Sequence, residues 1–182
     1  MRFAPIPVAA DQGAVHAVAA GIRPTAVIGD LDSLDPTTRA AVGEDRIHHV
    51  AEQDSTDFDK CLAAMRVPFV IGLGFLGGRL DHELAALSTL IRAAPRIVIL
   101  LGERDLVFHA PPDIALELPI GTRVSLFPMT RLRGDSTGLV WPIEGLSLAP
   151  ESRIGTSNET EEERVTLSFD GDGMLVILPV EH

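Results

Sequence analysis

The sequence predicts an α/β domain with a mainly parallel sheet and flanking helices over residues 1–105, then a small all-β, sandwich-like domain over residues 106–182. Three observations predict it. Strand-like and helix-like runs alternate as far as Leu101, the pattern of right-handed βαβ units. Phe69 to Leu73 and Ile97 to Leu101 are continuous apolar runs, as in parallel strands covered on both faces. From Leu106 onward the helical period is lost, and short β-rich runs are separated by Gly, Pro and Asp. With 182 residues, 46% of them hydrophobic, the chain can bury one large core or two small ones.

In order, Val8-Ala9-Ala10 reads as the end of a strand, and Asp11 is placed to cap a helix running to Ala20. Gly21 and Pro24 stop that helix. Thr25 to Ile28 is a strand, and Asp35-Pro36 opens a short helix with proline at its first position. Ile47 to Val50 is a strand on which His48 and His49 face opposite ways, so they do not share a metal. A helix runs from Thr56 to about Met65. A second, from Asp81 to Ala93, carries an apolar stripe of Leu84, Leu87, Leu90 and Ile91 and ends before Pro95. In the second half Ile114 to Leu118, Arg123 to Phe127, Arg164 to Phe169 and Met174 to Leu178 read as strands. Asp170-Gly171-Asp172-Gly173 reads as a hairpin turn, and Glu159 to Glu163 as an exposed acidic loop.

Charge and cysteine usage narrow the function classes. The net charge is −11 and the pI about 4.8, a poor balance for nucleic acid, whose phosphates need clustered Lys and Arg. Cys61 is the one cysteine, which excludes an intrachain disulfide and fits a reducing compartment. It falls inside a helix with nothing nearby to activate it, as a small core residue does. No apolar run reaches the length of a membrane span. The apolar stretch Ile6 to Ala10 is too short for a signal peptide, and Pro5 and Pro7 interrupt it. The expectation is a cytoplasmic protein without a membrane or nucleic-acid partner.

Three stretches carry chemistry. Val27-Ile28-Gly29-Asp30-Leu31-Asp32-Ser33 is a strand that ends on a glycine and two aspartates. Gly29 can turn the backbone through positive φ, and ligands bind in the crevice beyond such strand ends in open α/β sheets. Paired carboxylates there form a hard-oxygen site suited to Mg²⁺ that also carries substrate phosphates. A solvated turn is the plain alternative, because Asp, Ser and Gly are ordinary turn residues. Gln53-Asp54-Ser55-Thr56-Asp57-Phe58-Asp59-Lys60 opens a helix: Ser55 or Thr56 can cap it, and acids in its first turn suit its dipole. Capping leaves the density of acids and the closing lysine unexplained. Gly74-Phe75-Leu76-Gly77-Gly78-Arg79-Leu80-Asp81-His82 is a glycine-rich loop into a helix, of the kind that lets backbone N–H groups approach an anion.

In their order and combination these stretches resemble the thiamine pyrophosphokinase family. Its pattern has a G-D-x-D-S turn, a D-x-T-D-F-x-K helix start and a G-G-R-x-D-H loop. Gly138-Leu139-Val140-Trp141 and Gly155-Thr156-Ser157-Asn158 are similar to the family's thiamine-side motifs, and the likeness runs from about Ala9 to Pro179. The resemblance implies transfer of pyrophosphate from ATP to thiamine, giving thiamine diphosphate and AMP. It implies catalytic roles for Asp30, Asp32, Asp57 and Asp81, with Mg²⁺ on Asp30, Asp32 and Asp57. ATP would meet Thr56, Lys60, Gly77, Gly78, Arg79 and His82, and thiamine would meet Asp11, Gln53, Trp141, Ser157 and Asn158. It also implies a homodimer with active sites shared between subunits. The chain departs from the family in two places. Asp11-Gln12-Gly13 keeps an aspartate where a glycine and an asparagine of the pattern are lost. A strand and glycine-containing loop usual before Val8 are missing: either the start is truncated or the sheet has one strand fewer. Two other functions fit the same residues: a metal-dependent phosphohydrolase with water as acceptor, and a non-catalytic thiamine- or nucleotide-binding protein.

Overall fold

The computed structural model describes residues 4–32, 34–52 and 54–180. Its contacts form two compact units, Met1–Pro68 and Phe69–His182.

The first unit is a small parallel α/β layer. Strands β1 (Val8–Ala10), β2 (Ala26–Gly29) and β3 (Ile47–His49) form a sheet in that order, all parallel, with Ala10 beside Ile28 and Gly29 beside His49. Helix α1 (Gly13–Ala19) joins β1 to β2, and α2 (Pro36–Val42) with a 3₁₀ turn at Glu44–Arg46 joins β2 to β3. The stop signal after α1 works as a Schellman motif. Gly21 at φ +73° donates to Val18 O, and Ile22 donates to Ala17 O. Asp35 caps α2 by accepting from Thr37 N and Thr38 N, at 2.9 and 3.0 Å, and Pro36 sits where its missing N–H costs nothing. Ala9, Ala14, Val27, Leu34 and Val42 form a buried core. Helix α3 (Asp57–Ala64) packs on β1 and β2 and buries Phe58, Cys61 and Leu62.

The second unit contains a six-stranded and a four-stranded sheet. Strands β4 (Phe69–Leu73) and β5 (Ile97–Leu101), linked by α4 (Leu80–Arg92), pair in parallel as expected. The chain then turns back at once, because Gly102 N donates to Asp105 O, and β6 (Asp105–His109) pairs antiparallel with β5. After β7 (Asp113–Glu117), β8 (Arg123–Pro128), β9 (Leu132–Thr137), β10 (Ser147–Leu148), β11 (Gly155–Glu159), β12 (Arg164–Phe169) and β13 (Met174–Pro179), the sheet orders are β11-β8-β13-β6-β5-β4 and β10-β9-β12-β7. Phe108, Leu126, Met174 and Val176 from the larger sheet share one core with Leu132, Val165, Leu167 and Phe169 from the smaller.

The division by contacts falls at residues 68/69, because β4 and β5 are hydrogen-bonded into the same sheet as β6, β13, β8 and β11. Three sequence expectations are corrected here. Residues 170–173 are not a hairpin turn. Strand β12 pairs with β7 and β9, whereas β13 pairs with β6 and β8, so this turn carries the chain from one sheet to the other. The buried residues of α4 are Ala86, Thr89 and Leu90, while Leu84 of the expected stripe is 55% exposed. Within the acidic run 159–163, Glu159 closes β11 and Thr160 is buried, with its hydroxyl on Pro119 O. Among the described residues no helix is long and apolar enough to cross a membrane.

Candidate functional site

The acidic turn stands at the carboxyl ends of the parallel strands of the first unit. Asp11 N donates to Ile28 O at 2.9 Å, and Val50 N donates to Gly29 O at 2.8 Å, which brings the segments after β1 and β3 to the same edge as Gly29-Asp30. Gly29 is needed here for space instead of for positive φ. A Cβ on it would stand 3.0 Å from Asp11 Cβ. The positive φ falls on Leu31, at +63°, an uncommon backbone for leucine of the kind found where a site over-determines the chain. Asp30 Oδ1 faces Asp32 N across the turn at 3.4 Å. Asp11 does not cap α1, because the N-cap position is Gln12 and no side chain caps it. Ser33 and Gln53 lie outside the described residues.

Lys60 is the centre of this region. Only 7% of it is exposed, and its Nζ donates to Asp57 Oδ1 at 3.1 Å. Burial pulls its pKa down. The hydrogen bond to Asp57 and the charges of Asp57, Glu52 and Asp30 outweigh that and hold it above the usual lysine value, so the ammonium stays charged. Thr56 and Asp59 form a capping box: Thr56 Oγ1 accepts from Asp59 N, and Asp59 Oδ2 accepts from Thr56 N and from its hydroxyl. The Thr56 hydroxyl expected on ATP is therefore engaged at the helix start. Glu52, absent from the expected site, accepts from Ser55 N and Ser55 Oγ at 2.7 and 2.6 Å. The hydrogen bond from the Ser55 hydroxyl is the largest effect holding its carboxyl below the usual range. The signal for it was present, a glutamate three residues before a serine at a helix start. Cys61 is buried, and burial pushes its thiol up to about 12, as suits a core residue and not a nucleophile. Among the described residues no three His, Cys, Asp or Glu side chains converge as a metal cage. The expected trio Asp30, Asp32 and Asp57 is thus not gathered into one, and Lys60 occupies one oxygen of Asp57.

The glycine-rich loop belongs to the second unit. Gly74 and Gly77 have φ of +80° and +84°, so both need glycine for the backbone. Gly78 has neither a positive φ nor an atom within 4 Å of a would-be Cβ, so nothing within the chain demands glycine there. Arg79 forms a two-pronged ion pair with Asp81, Nε to Oδ1 at 3.1 Å and an Nη to Oδ2 at 2.6 Å, with both side chains exposed. The guanidinium holds the Asp81 carboxyl below the usual range. The acid available to Arg79 is thus Asp81, while Glu83 accepts from Gly77 N at 3.2 Å. His82 is exposed, and its backbone N–H donates to Asp81.

Trp141 is 59% exposed, so it does not fill the core of the β unit. Asn158 is buried, and its carboxamide binds the Trp141 backbone at both N and O. Ser157 is exposed on a bulge of β11, at φ +60°, with its N–H on Ser125 Oγ.

Two family models match the chain in sequence. The model for the thiamin pyrophosphokinase catalytic domain matches residues 1–101, more than half of the chain. The chain belongs to the thiamin pyrophosphokinase family. The model for the family's vitamin B1 binding domain matches residues 113–174. A rice protein, thiamine pyrophosphokinase 1 of Oryza sativa subsp. japonica, is 30% identical over 169 residues, covering 82% of this chain and 64% of its own length. The chain thus spans less than two thirds of that relative. Thiamine pyrophosphokinase of Bacillus subtilis (strain 168) is 28% identical over 180 residues, 92% of this chain and 84% of that protein. The crystal structure of thiamine pyrophosphokinase from Bacillus subtilis superposes with a TM-score of 0.80 at 25% identity, covering 96% of this chain and 86% of the other. Thiamin pyrophosphokinase from Candida albicans shares the fold at a TM-score of 0.84 and 16% identity, covering 98% of this chain and 83% of that one.

Proposed function

We propose that this chain transfers a pyrophosphoryl group from ATP to the hydroxyl of thiamine, releasing AMP. The new bond joins the thiamine oxygen to the β-phosphorus, and the bond between that phosphorus and the α–β bridging oxygen breaks. Family membership supports the reaction. The observation that carries it in this chain is Lys60, a buried ammonium kept charged by Asp57, Glu52 and Asp30 at the carboxyl edge of a parallel sheet. Transfer of this kind is mostly positioning and neutralisation of charge, which such a cation supplies to phosphate oxygens.

The donor chemistry of the acidic turn suits Mg²⁺, which needs one or two carboxylates when substrate phosphates complete its shell. Asp30 and Asp32 would hold it, while Asp57 keeps the Lys60 ammonium in place beside them. Bound there, the ion would supply charge neutralisation on the phosphates. Gly77 and Gly78 would admit ATP to the backbone, and Arg79 would exchange Asp81 for phosphate. Residues 1–105 would handle ATP, and residues 106–182 would handle thiamine through Trp141 and Ser157. The reading includes a homodimer with shared active sites, as the family resemblance implies, and a cytoplasmic setting that suits a free buried thiol.

The test is AMP formation from ATP and Mg²⁺ with and without thiamine. The expected result is AMP and thiamine diphosphate in equal amounts, only when thiamine is present. Thiamine-independent hydrolysis would make water the acceptor, and absence of turnover with tight binding of either substrate would make this a binding protein.

A further inference from the structure

We propose that Asn158 is the positioning residue of Trp141 and sets the direction of the indole before any ligand arrives. Residues 139–141 run beside 158–160 as a short antiparallel pair: Leu139 bridges Thr160, and Val140 N donates to Glu159 O at 2.9 Å. One step further along, where Trp141 would need a backbone partner, the Asn158 side chain supplies it. Its Oδ1 accepts from Trp141 N at 3.2 Å, and its Nδ2 donates to Trp141 O at 2.6 Å. Oδ1 also accepts from Glu159 N at 2.9 Å, so two backbone donors fix which end of the amide faces which way. Asn158 is buried, 6% exposed, which limits competition from water for these bonds.

The segment is tied at its other ends as well. Gly138, at φ +75°, lies so close to the neighbouring strand that a Cβ would stand 2.4 Å from Arg164 O. Beyond Pro142, which has no N–H, Ile143 N donates to Ser136 Oγ at 3.1 Å, and Ser136 is itself buried. The β11 bulge between Gly155 and Asn158 throws Thr156 and Ser157 outward and returns Asn158 to register opposite Val124, aimed at Trp141. A large exposed aromatic therefore stands on a backbone held by buried side chains, which is how a site fixes a stacking surface in advance. Asn158 acts through Trp141 and not by touching the ligand. That this surface serves thiamine rests on the function proposed above, whereas the positioning of Trp141 does not.

Trp141 is the sole tryptophan, so indole emission reports on it alone. In the ligand-free full chain, overall tumbling is expected to dominate the wild-type anisotropy decay. Asn158→Ala, and the near-isosteric Asn158→Asp, which turns an acceptor toward the Trp141 carbonyl, should add a fast local component and admit acrylamide more readily. The same variants should raise KM for thiamine about five- to tenfold, the weight of one lost hydrogen bond, with smaller changes in kcat and in KM for ATP. An unchanged decay in folded Asn158→Asp overturns the proposal, and that variant decides if Asn158→Ala does not fold. A loosened indole with unaltered KM for thiamine overturns the link to thiamine. Wild-type emission and AMP formation that both ignore thiamine overturn the thiamine reading and leave the positioning intact.

Discussion

The acidic turn and the glycine-rich loop are held in opposite ways. Around the turn, Lys60 is buried, and its neighbours are tied by a capping box and a second carboxylate–hydroxyl pair at the same helix start. In the loop, Arg79 and Asp81 are exposed and satisfy each other. Burial makes Lys60 costly to leave unpaired, since without Asp57 its ammonium would be an uncompensated charge away from water. An exposed ion pair contributes little net free energy, so a better anion can take Arg79 at small cost. On the function proposed above, the first region is built before ATP arrives, and the second exchanges Asp81 for phosphate.

The contrast breaks most readily at the turn. Asp30→Asn or Asp32→Asn should lower kcat by about 10²–10³-fold, the scale of losing preorganised charge at a reacting group, while the melt stays within a few degrees of wild type. Kinetics beside thermal unfolding decide this, and full activity in both variants would reduce the motif to an ordinary turn. Arg79→Ala should raise KM for ATP about tenfold and leave the melt unmoved, since the exposed pair holds under about 1 kcal/mol. If the melt falls while ATP dependence is unchanged, the pair is structural and the two regions do not differ as described.

Thr56→Ala tests whether the helix start serves stability or substrate. Losing the cap should cost about 1 kcal/mol and move the melt by a few degrees, with a smaller change in KM for ATP. The reverse pattern would return Thr56 to the phosphates. The smallest effect lies outside both regions. His109 Nε2 accepts from Gly173 N at 3.0 Å, and burial, opposed by the charge of Asp172, lowers its pKa. A folded pKa below the unfolded one means the unfolded chain binds more protons. This contribution is therefore full above about pH 6.5, the ordinary histidine value, and is lost as pH falls from there through the folded pKa. His109→Gln keeps an acceptor for Gly173 and does not titrate, so its melt between pH 7 and 5 should be flatter than that of wild type. Parallel curves would show that another group governs this window.

Short-range chemistry was readable in order along the chain. Asp35-Pro36, the Thr56–Asp59 helix start and the Gly21 stop work through groups a few residues apart, so composition and spacing suffice for them. The acidic turn was legible as a motif, but the reason for Gly29 was not, because Asp11 approaches it from the turn after β1. Residues 170–173 show the same limit. A turn between two β-runs has the same residues whether it folds a hairpin or crosses between sheets, and only the partners of β12 and β13 tell them apart. Trp141 could equally have been core or surface, since burial depends on what packs against a residue and not on its own identity. Lys60 is buried and charged because three acids, one of them thirty positions away along the chain, are folded around it. Local hydrogen-bonding preference belongs to the sequence, whereas burial, register and electrostatic company arise only when distant segments meet.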